Sequence, residues 1–162
     1  MINTSPLNNK STGTVTIDAA TAADIPELVQ LLTSLFTLEH DFAPNAKRQH
    51  KGLELMIAQP LQRIVMVARV HNLVAGMATA QLVVSTAQGG YSAWVEDVIV
   101  HPDYLRKGIG SALLNALTSW AQTAGATRMQ LLCETDNKQA TSFYDTNGWH
   151  VTGAYVLLND CN

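Results

Sequence analysis

The sequence predicts a mixed α/β or α+β protein, a central sheet with helices packed on its faces. Two observations predict it. Segments with apolar residues at helical spacing alternate with short β-branched runs, in the order β, α, α, β, β, β, α, β, α, β. The composition, 47% hydrophobic and only 14% charged, supplies a large buried share for 162 residues, where about 25% charged is usual.

Residues 1–12 are polar, rich in Asn, Ser and Thr, and read as a leader; residues 13–160 read as a single domain. Thr14 to Ile17 alternates polar and β-branched residues as a strand, and Asp18 to Thr21 reads as a turn. Thr21 or Asp24 caps a helix that Pro26 enters in its first turn, with Leu28, Leu31, Leu32, Leu35 and Phe36 on one face. Lys47 to Ala58 is a second helix, ended by Pro60. Arg63–Val70 and Leu73–Ser85 form a hairpin around His71-Asn72, and Ser92–Val100 is the next strand. Gly108 to Ala124 is a strong helix whose stripe is Ile109, Leu113, Leu117, Trp120 and Ala124, stopped by Gly125. A strand over Arg128–Glu134, a short helix over Asn137–Asn147 and a last strand over Trp149–Leu158 complete the chain. Cys133 falls in an apolar strand and is expected as a small core residue.

Several function classes are excluded at this level. No apolar run reaches the ~18–20 residues that span a bilayer, and the N-terminus lacks a signal-type apolar region. A net charge of −3 gives no general attraction to nucleic acid or anionic membrane. Cys133 and Cys161 form neither a disulfide scaffold nor a metal spacing, and no His pair has zincin spacing. No metal is expected, and the location is expected to be cytoplasmic.

The stretch from Val95 to Ser111 carries chemistry. A strand runs into a basic turn, Leu105-Arg106-Lys107-Gly108-Ile109-Gly110-Ser111, which opens a helix. Orphan N–H groups, the helix dipole and glycines that admit a close anion make such a turn a phosphate cradle. A plain helix start with two surface cations is the simplest alternative. A dinucleotide fingerprint requires a third glycine where Leu113 stands, and a nucleotide P-loop requires a closing Gly-Lys-Ser/Thr, which is absent.

The stretch resembles the acyl-CoA signature Gln/Arg-x-x-Gly-x-Gly/Ala of the GNAT N-acetyltransferase superfamily. Asn137 to Trp149 is similar to the family's last helix, Asn-x-x-Ala-x-x-Phe-Tyr-x-x-x-Gly-Phe, and the similarity extends over residues 14–158. Leu105 departs from it, standing where the family has Gln or Arg. The resemblance implies a mostly antiparallel mixed sheet with splayed strands, acetyl-CoA as cofactor, and transfer of its acetyl group to a primary amine of a polyamine-, amino-sugar- or amino-acid-like small molecule. A non-catalytic acyl-CoA module and a protein N-acetyltransferase are the alternatives.

By the same resemblance, the backbone of Val98, Ile99 and Val100 pairs with the pantetheine arm, and the amides of Arg106, Lys107, Gly108, Ile109, Gly110 and Ser111 hold the pyrophosphate. Asn137 and Tyr144 contact the cofactor, and Tyr144 is the general acid, against a plain packed aromatic. The Val98 amide stabilises the oxyanion. Glu96 or Asp97 is the base; Glu96 is favoured, with Trp94, Glu96 and Val98 expected on one face unless a bulge intervenes. Trp94, Asp97, Phe36, Glu39, Asp41 and Phe42 build the acceptor side, where the acids attract a cationic amine; a solvated acidic loop is the alternative. A homodimer is open, with Trp149 and Tyr155 at an interface or in the core. Arg106 and Lys107 supply positive charge locally in a chain that is acidic on balance.

Overall fold

A computed structural model describes residues 14–38 and 43–154. The chain divides into two compact units, one ending at Leu131 and one starting at Leu132. In the first, the strands β1 (Val15–Ala19), β2 (Arg63–Val70), β3 (Leu73–Ser85), β4 (Gly90–Val100) and β5 (Ala126–Gln130) form one sheet in the order β1-β2-β3-β4-β5. The first four are antiparallel neighbours and β5 joins β4 in parallel. This is the mixed, mostly antiparallel sheet that the sequence led us to expect.

β1 reaches Ala19, so Asp18 and Ala19 are paired strand residues and not a turn. A single 3-10 turn, Ala22–Asp24, then leads into α1 (Ile25–Leu38). Thr21 and Asp24 close a capping box: the Asp24 carboxylate accepts from the Thr21 backbone N–H at 2.7 Å and from its hydroxyl at 3.0 Å. The Arg69 guanidinium of β2 also donates to Asp24, which pins the entry of α1 to the sheet. α2 (Ala46–Ile57) is capped by Asn45, whose side chain accepts from the Arg48 N–H at 3.1 Å. In the β2–β3 hairpin both His71 and Asn72 have positive φ, as a two-residue turn matched to strand twist requires.

The pairing register sorts the sheet into two faces. One face carries the rows Arg63–Gln81–Trp94, Val65–Thr79–Glu96 and Val67–Met77–Ile99. Its apolar part, Val65, Val67, Met77 and Ile99, packs with Ile25, Leu28, Leu31 and Leu32 of α1 and Leu53 of α2. The other face presents small residues, among them Ala68, Ala78 and Ala80, all fully buried. The small residues let α3 (Ile109–Thr123) approach the strands closely. Its buried stripe is Ile109, Leu113, Leu114, Leu117 and Ala121. That stripe corrects the expected one: Trp120 and Ala124 are half-buried, because the helix turns Leu114 and Ala121 inward. Gly76 marks the tightest point, where a Cβ would stand 2.9 Å from the Ile99 carbonyl oxygen.

The second unit holds α4 (Lys138–Thr146). The expected strand over 128–134 is shifted: β5 covers Ala126–Gln130, and the residues after it are irregular. Cys133 is exposed there and is not a core residue; its Sγ lies 3.6 Å from the Glu134 carbonyl oxygen. Of the expected last strand, residues 149–154 form none, and the rest, with Tyr155, lies outside the described residues. Among the described residues, no helix is long and apolar enough to cross a membrane.

Two stability predictions follow from these contacts. Burial alone would raise the Asp24 pKa, but the Thr21 N–H, the Arg69 guanidinium and the Thr21 hydroxyl outweigh it, and the net shift is downward. The folded state therefore holds the Asp24 proton more weakly than the unfolded chain. Its stabilisation is complete above the ordinary carboxylate pKa of about 3.9 and is lost as pH falls through the lower folded value. Urea titrations should show Asp24→Asn less stable than the parent by about 1 kcal/mol at pH 7, with the difference closing below about pH 4. Gly76→Ala should cost about 1–3 kcal/mol in the same titration, because backbone atoms cannot yield to the new methyl group.

Candidate active site

β4 changes partner along its length. Its pairing with β5 covers Tyr91 with Ala126, Ala93 with Met129 and Trp94 with Gln130, and goes no further among the described residues. From Val95 to Val100, β4 is paired with β3, and among the described residues β5 does not pair with it there. A strand edge released in this way offers a row of N–H and C=O groups to an extended ligand. Val98, Ile99 and Val100 lie in this half, with Ile99 buried and the other two half-buried.

The β3–β4 register also breaks there. Thr79 opposes Glu96 and Met77 opposes Ile99, so Ala78 faces two residues, Asp97 and Val98. This is a β-bulge, with Asp97 at φ 50°. Asp tolerates left-handed backbone better than most residues. The bulge corrects one expectation. Glu96 shares its face with Trp94 and Ile99, while Val98 turns to the α3 side. On the α1 and α2 face, the Trp94 indole N–H donates to Glu96 Oε1 at 3.1 Å. The Thr79 hydroxyl donates to the Glu96 carbonyl oxygen at 3.0 Å and lies 3.4 Å from Asp97 Oδ2. Sequence reasoning missed Thr79, which looks like any β-branched strand residue.

Past Val100, the His101 N–H donates to the Ala75 carbonyl at 2.9 Å, and a 3-10 turn over Pro102–Tyr104 follows. Arg106 and Gly108 both have positive φ, 58° and 78°. The first i→i−4 bond of α3 runs from Ala112 to Gly108 at 3.0 Å. The N–H groups of Ile109, Gly110 and Ser111 therefore precede the helical ladder and point out of its N-terminus. A Cβ on Gly108 would meet nothing within 4 Å, so the space beside Gly108 is open. Arg106 is exposed. Lys107 folds back: its ammonium donates to the Asp103 carbonyl at 2.9 Å and lies 5.0 Å from the centre of the Tyr104 ring. The strand edge and the amides of the helix start are thus consecutive in the chain, as binding of an extended molecule ending in an anion requires.

A family model for the acetyltransferase (GNAT) family matches residues 25–149. The chain belongs to the GNAT acetyltransferase family. Its members use acetyl-CoA, and the released edge and open amide cradle fit that molecule's pantetheine arm and pyrophosphate. No curated protein matches the chain. Among solved structures, the chain is similar to a possible acetyltransferase from Clostridium difficile 630, with a TM-score of 0.80 at 18% identity, covering 91% of this chain and 98% of that one. It is also similar to an acetyltransferase from Clostridium acetobutylicum solved with acetyl-CoA, with a TM-score of 0.74 at 18% identity over 90% and 96% of the two chains. A third is the aminoglycoside antibiotic 6′-N-acetyltransferase of Acinetobacter baumannii, with a TM-score of 0.74 at 20% identity over 91% and 98%. At these identities the likeness shows the fold.

The remaining expected site residues are distributed as follows. Phe36 of α1 packs partly buried against the core on the Glu96 face. Glu39, Asp41 and Phe42 lie outside the described residues. In the second unit, Asn137 caps α4, its Oδ1 accepting from the Ala140 N–H at 3.0 Å. Tyr144 sits between Phe143 and Trp149, with ring centroids 5.2 and 6.0 Å away. Trp149 is half-buried, and its N–H donates to the Tyr144 carbonyl at 3.0 Å.

The cradle generates one prediction. Gly108→Ala meets no steric obstacle, so its effect comes from forcing an alanine to φ 78° and from placing a methyl group in the open space. Calorimetry should show a stability loss of about 1–2 kcal/mol and a weaker thermal shift with CoA than the parent gives.

Proposed function

We propose that the protein transfers the acetyl group of acetyl-CoA to a primary amine of a small molecule by direct attack in a ternary complex. The observation that carries this reading is the release of β4 from β5 after Trp94, immediately upstream of the amide cradle. Bound acetyl-CoA supplies an acetyl group activated as a thioester. The edge of Val98, Ile99 and Val100 binds the pantetheine arm, and the amides from Arg106 to Ser111 bind the pyrophosphate. Leu105, 48% exposed, offers only an apolar contact where the family has Gln or Arg, so Arg106 provides the charge.

Glu96 takes the proton of the attacking amine, directly or through water. Its position supports this role: it is exposed and stands where the α1 and α2 face passes from the core row Val67–Met77–Ile99 to the polar row Arg63–Gln81–Trp94. Asp97 is half-buried at the bulge, and it serves the site by shaping β4. The Val98 N–H donates to the oxygen that gains negative charge. As the C–N bond forms and the C–S bond breaks, the Tyr144 hydroxyl gives its proton to the departing sulfur. Asn137 contributes its Nδ2 to the cofactor, since its Oδ1 is occupied by the helix cap. The acceptor stands against Trp94 and Phe36, and the acids Glu39, Asp41, Glu96 and Asp97 attract it as a cation. A water-soluble, cytoplasmic enzyme that can pair with a second copy fits this chemistry.

CoA at 100 times its Kd should add about 2.7 kcal/mol of stability, and no shift in melting temperature at millimolar CoA would remove the reading. A thiol-release assay with acetyl-CoA across polyamines, amino sugars, aminoglycosides and peptides should find an acceptor; CoA binding with no release on any of them would point to a non-catalytic module. With that acceptor, Tyr144→Phe and Glu96→Gln should each lower kcat by about 10²–10⁴-fold while the CoA-induced thermal shift is kept.

A further inference from the structure

We infer that Thr79 of β3 is a positioning residue that holds the β4 bulge, and through it the Glu96 carboxylate and the Val98 amide. The inference rests on the proposed roles of those two groups. A bulge interrupts the ladder, and the backbone groups it leaves over need other partners. At this bulge the Thr79 hydroxyl donates to the Glu96 carbonyl at 3.0 Å. Thr79 is only 2% exposed, so water does not compete for this bond. The same hydroxyl lies 3.4 Å from Asp97 Oδ2, on the residue held at φ 50°.

Both sides of the bulge are then fixed. On one side, the Glu96 main chain is tied to Thr79 and its carboxylate to the Trp94 indole at 3.1 Å. On the other, the left-handed turn at Asp97 sets where the Val98 N–H points. Loss of the hydroxyl removes this tie between a buried β3 side chain and the bulge. The chain there recovers by relaxing toward a regular ladder. Such a slip would bring Val98 to the Glu96 face and carry Ile99 off it. A side chain 2% exposed acts on the site through geometry.

The test compares Thr79→Val, which keeps the shape and removes the hydroxyl, with Thr79→Ser, which keeps the hydroxyl. For the acceptor found by thiol release, Thr79→Val should lower kcat roughly 10- to 100-fold, with the KM for acetyl-CoA changed less than about twofold, and Thr79→Ser should restore most of the loss. An unchanged kcat, a Ser variant as impaired as the Val variant, or a rise in KM in place of the fall in kcat would overturn the inference. Amide hydrogen exchange needs no turnover. In Thr79→Val, the Asp97 and Val98 amides should exchange at least about tenfold faster, with Val67 in the neighbouring row unaffected. Exchange that is unchanged, or raised equally at Val67, would overturn the inference. A parent that releases no thiol would remove the catalytic reading and leave exchange to decide whether Thr79 holds the bulge.

Discussion

The candidate site in the first unit depends on how the hydrogen-bonding capacity of β4 is used. On one side β4 is bonded to β3 from Gly90 to Val100, with the bulge as its single break. On the other it is bonded to β5 only as far as Trp94. The long β3 ladder keeps β4 in place where its pairing with β5 has ended. The alanines under α3 belong to the same arrangement. They bring the helix close to the sheet, and Ile109, at the start of α3, is itself buried. The helix N-terminus is thereby fixed at the end of the released edge.

Charge plays a local part. A net charge of −3 argues against a strongly anionic ligand when the molecule is treated as one body. At the start of α3, however, consecutive N–H groups precede the helical ladder, and a helix terminus adds partial positive charge that acts over about a turn. The basic side chains are less uniform than the sequence suggests: both are exposed, but the Lys107 ammonium is engaged by the Asp103 carbonyl and the Tyr104 ring. Backbone amides are counted by no composition statistic.

Local periodicity made most of the fold legible. The bounds of β2 and β3 agree with the sequence reading residue for residue, because a two-residue turn at His71-Asn72 fixes the hairpin register between two β-branched runs. β5 did not agree. The run Met129, Leu131, Cys133 alternates like a strand, but pairing with β4 ends at Gln130, and alternation carries no information on where a neighbour departs. The site divides the same way. Gly108 and the helix start were legible from glycine spacing. The bulge at Asp97 was not, since a one-residue register shift depends on how β3 and β4 pair and leaves no composition signature; with it went the faces of Glu96 and Val98 and the part taken by Thr79.

Left-handed backbone shows how the strain is arranged. Among the described residues, positive φ at His71 and Asn72 belongs to a hairpin turn, at Gly89 to the next turn, and at Gly125 and Gly148 to helix ends. Those positions need it for chain reversal or helix termination. Asp97, Arg106 and Gly108 remain, and all three fall between the middle of β4 and the start of α3. Arg106 has a Cβ and takes this conformation at a cost of about 1–2 kcal/mol. Arg106 stands in the turn between the 3-10 segment and α3: Leu105 is extended at φ −60° and ψ 151° and Arg106 follows at φ 58°, the pattern of a type II turn with an arginine where glycine is usual. Backbone held off its preferred conformations persists where surrounding structure over-determines it, and such places collect at binding sites. Here the β3 ladder on one side and the buried foot of α3 on the other supply that determination.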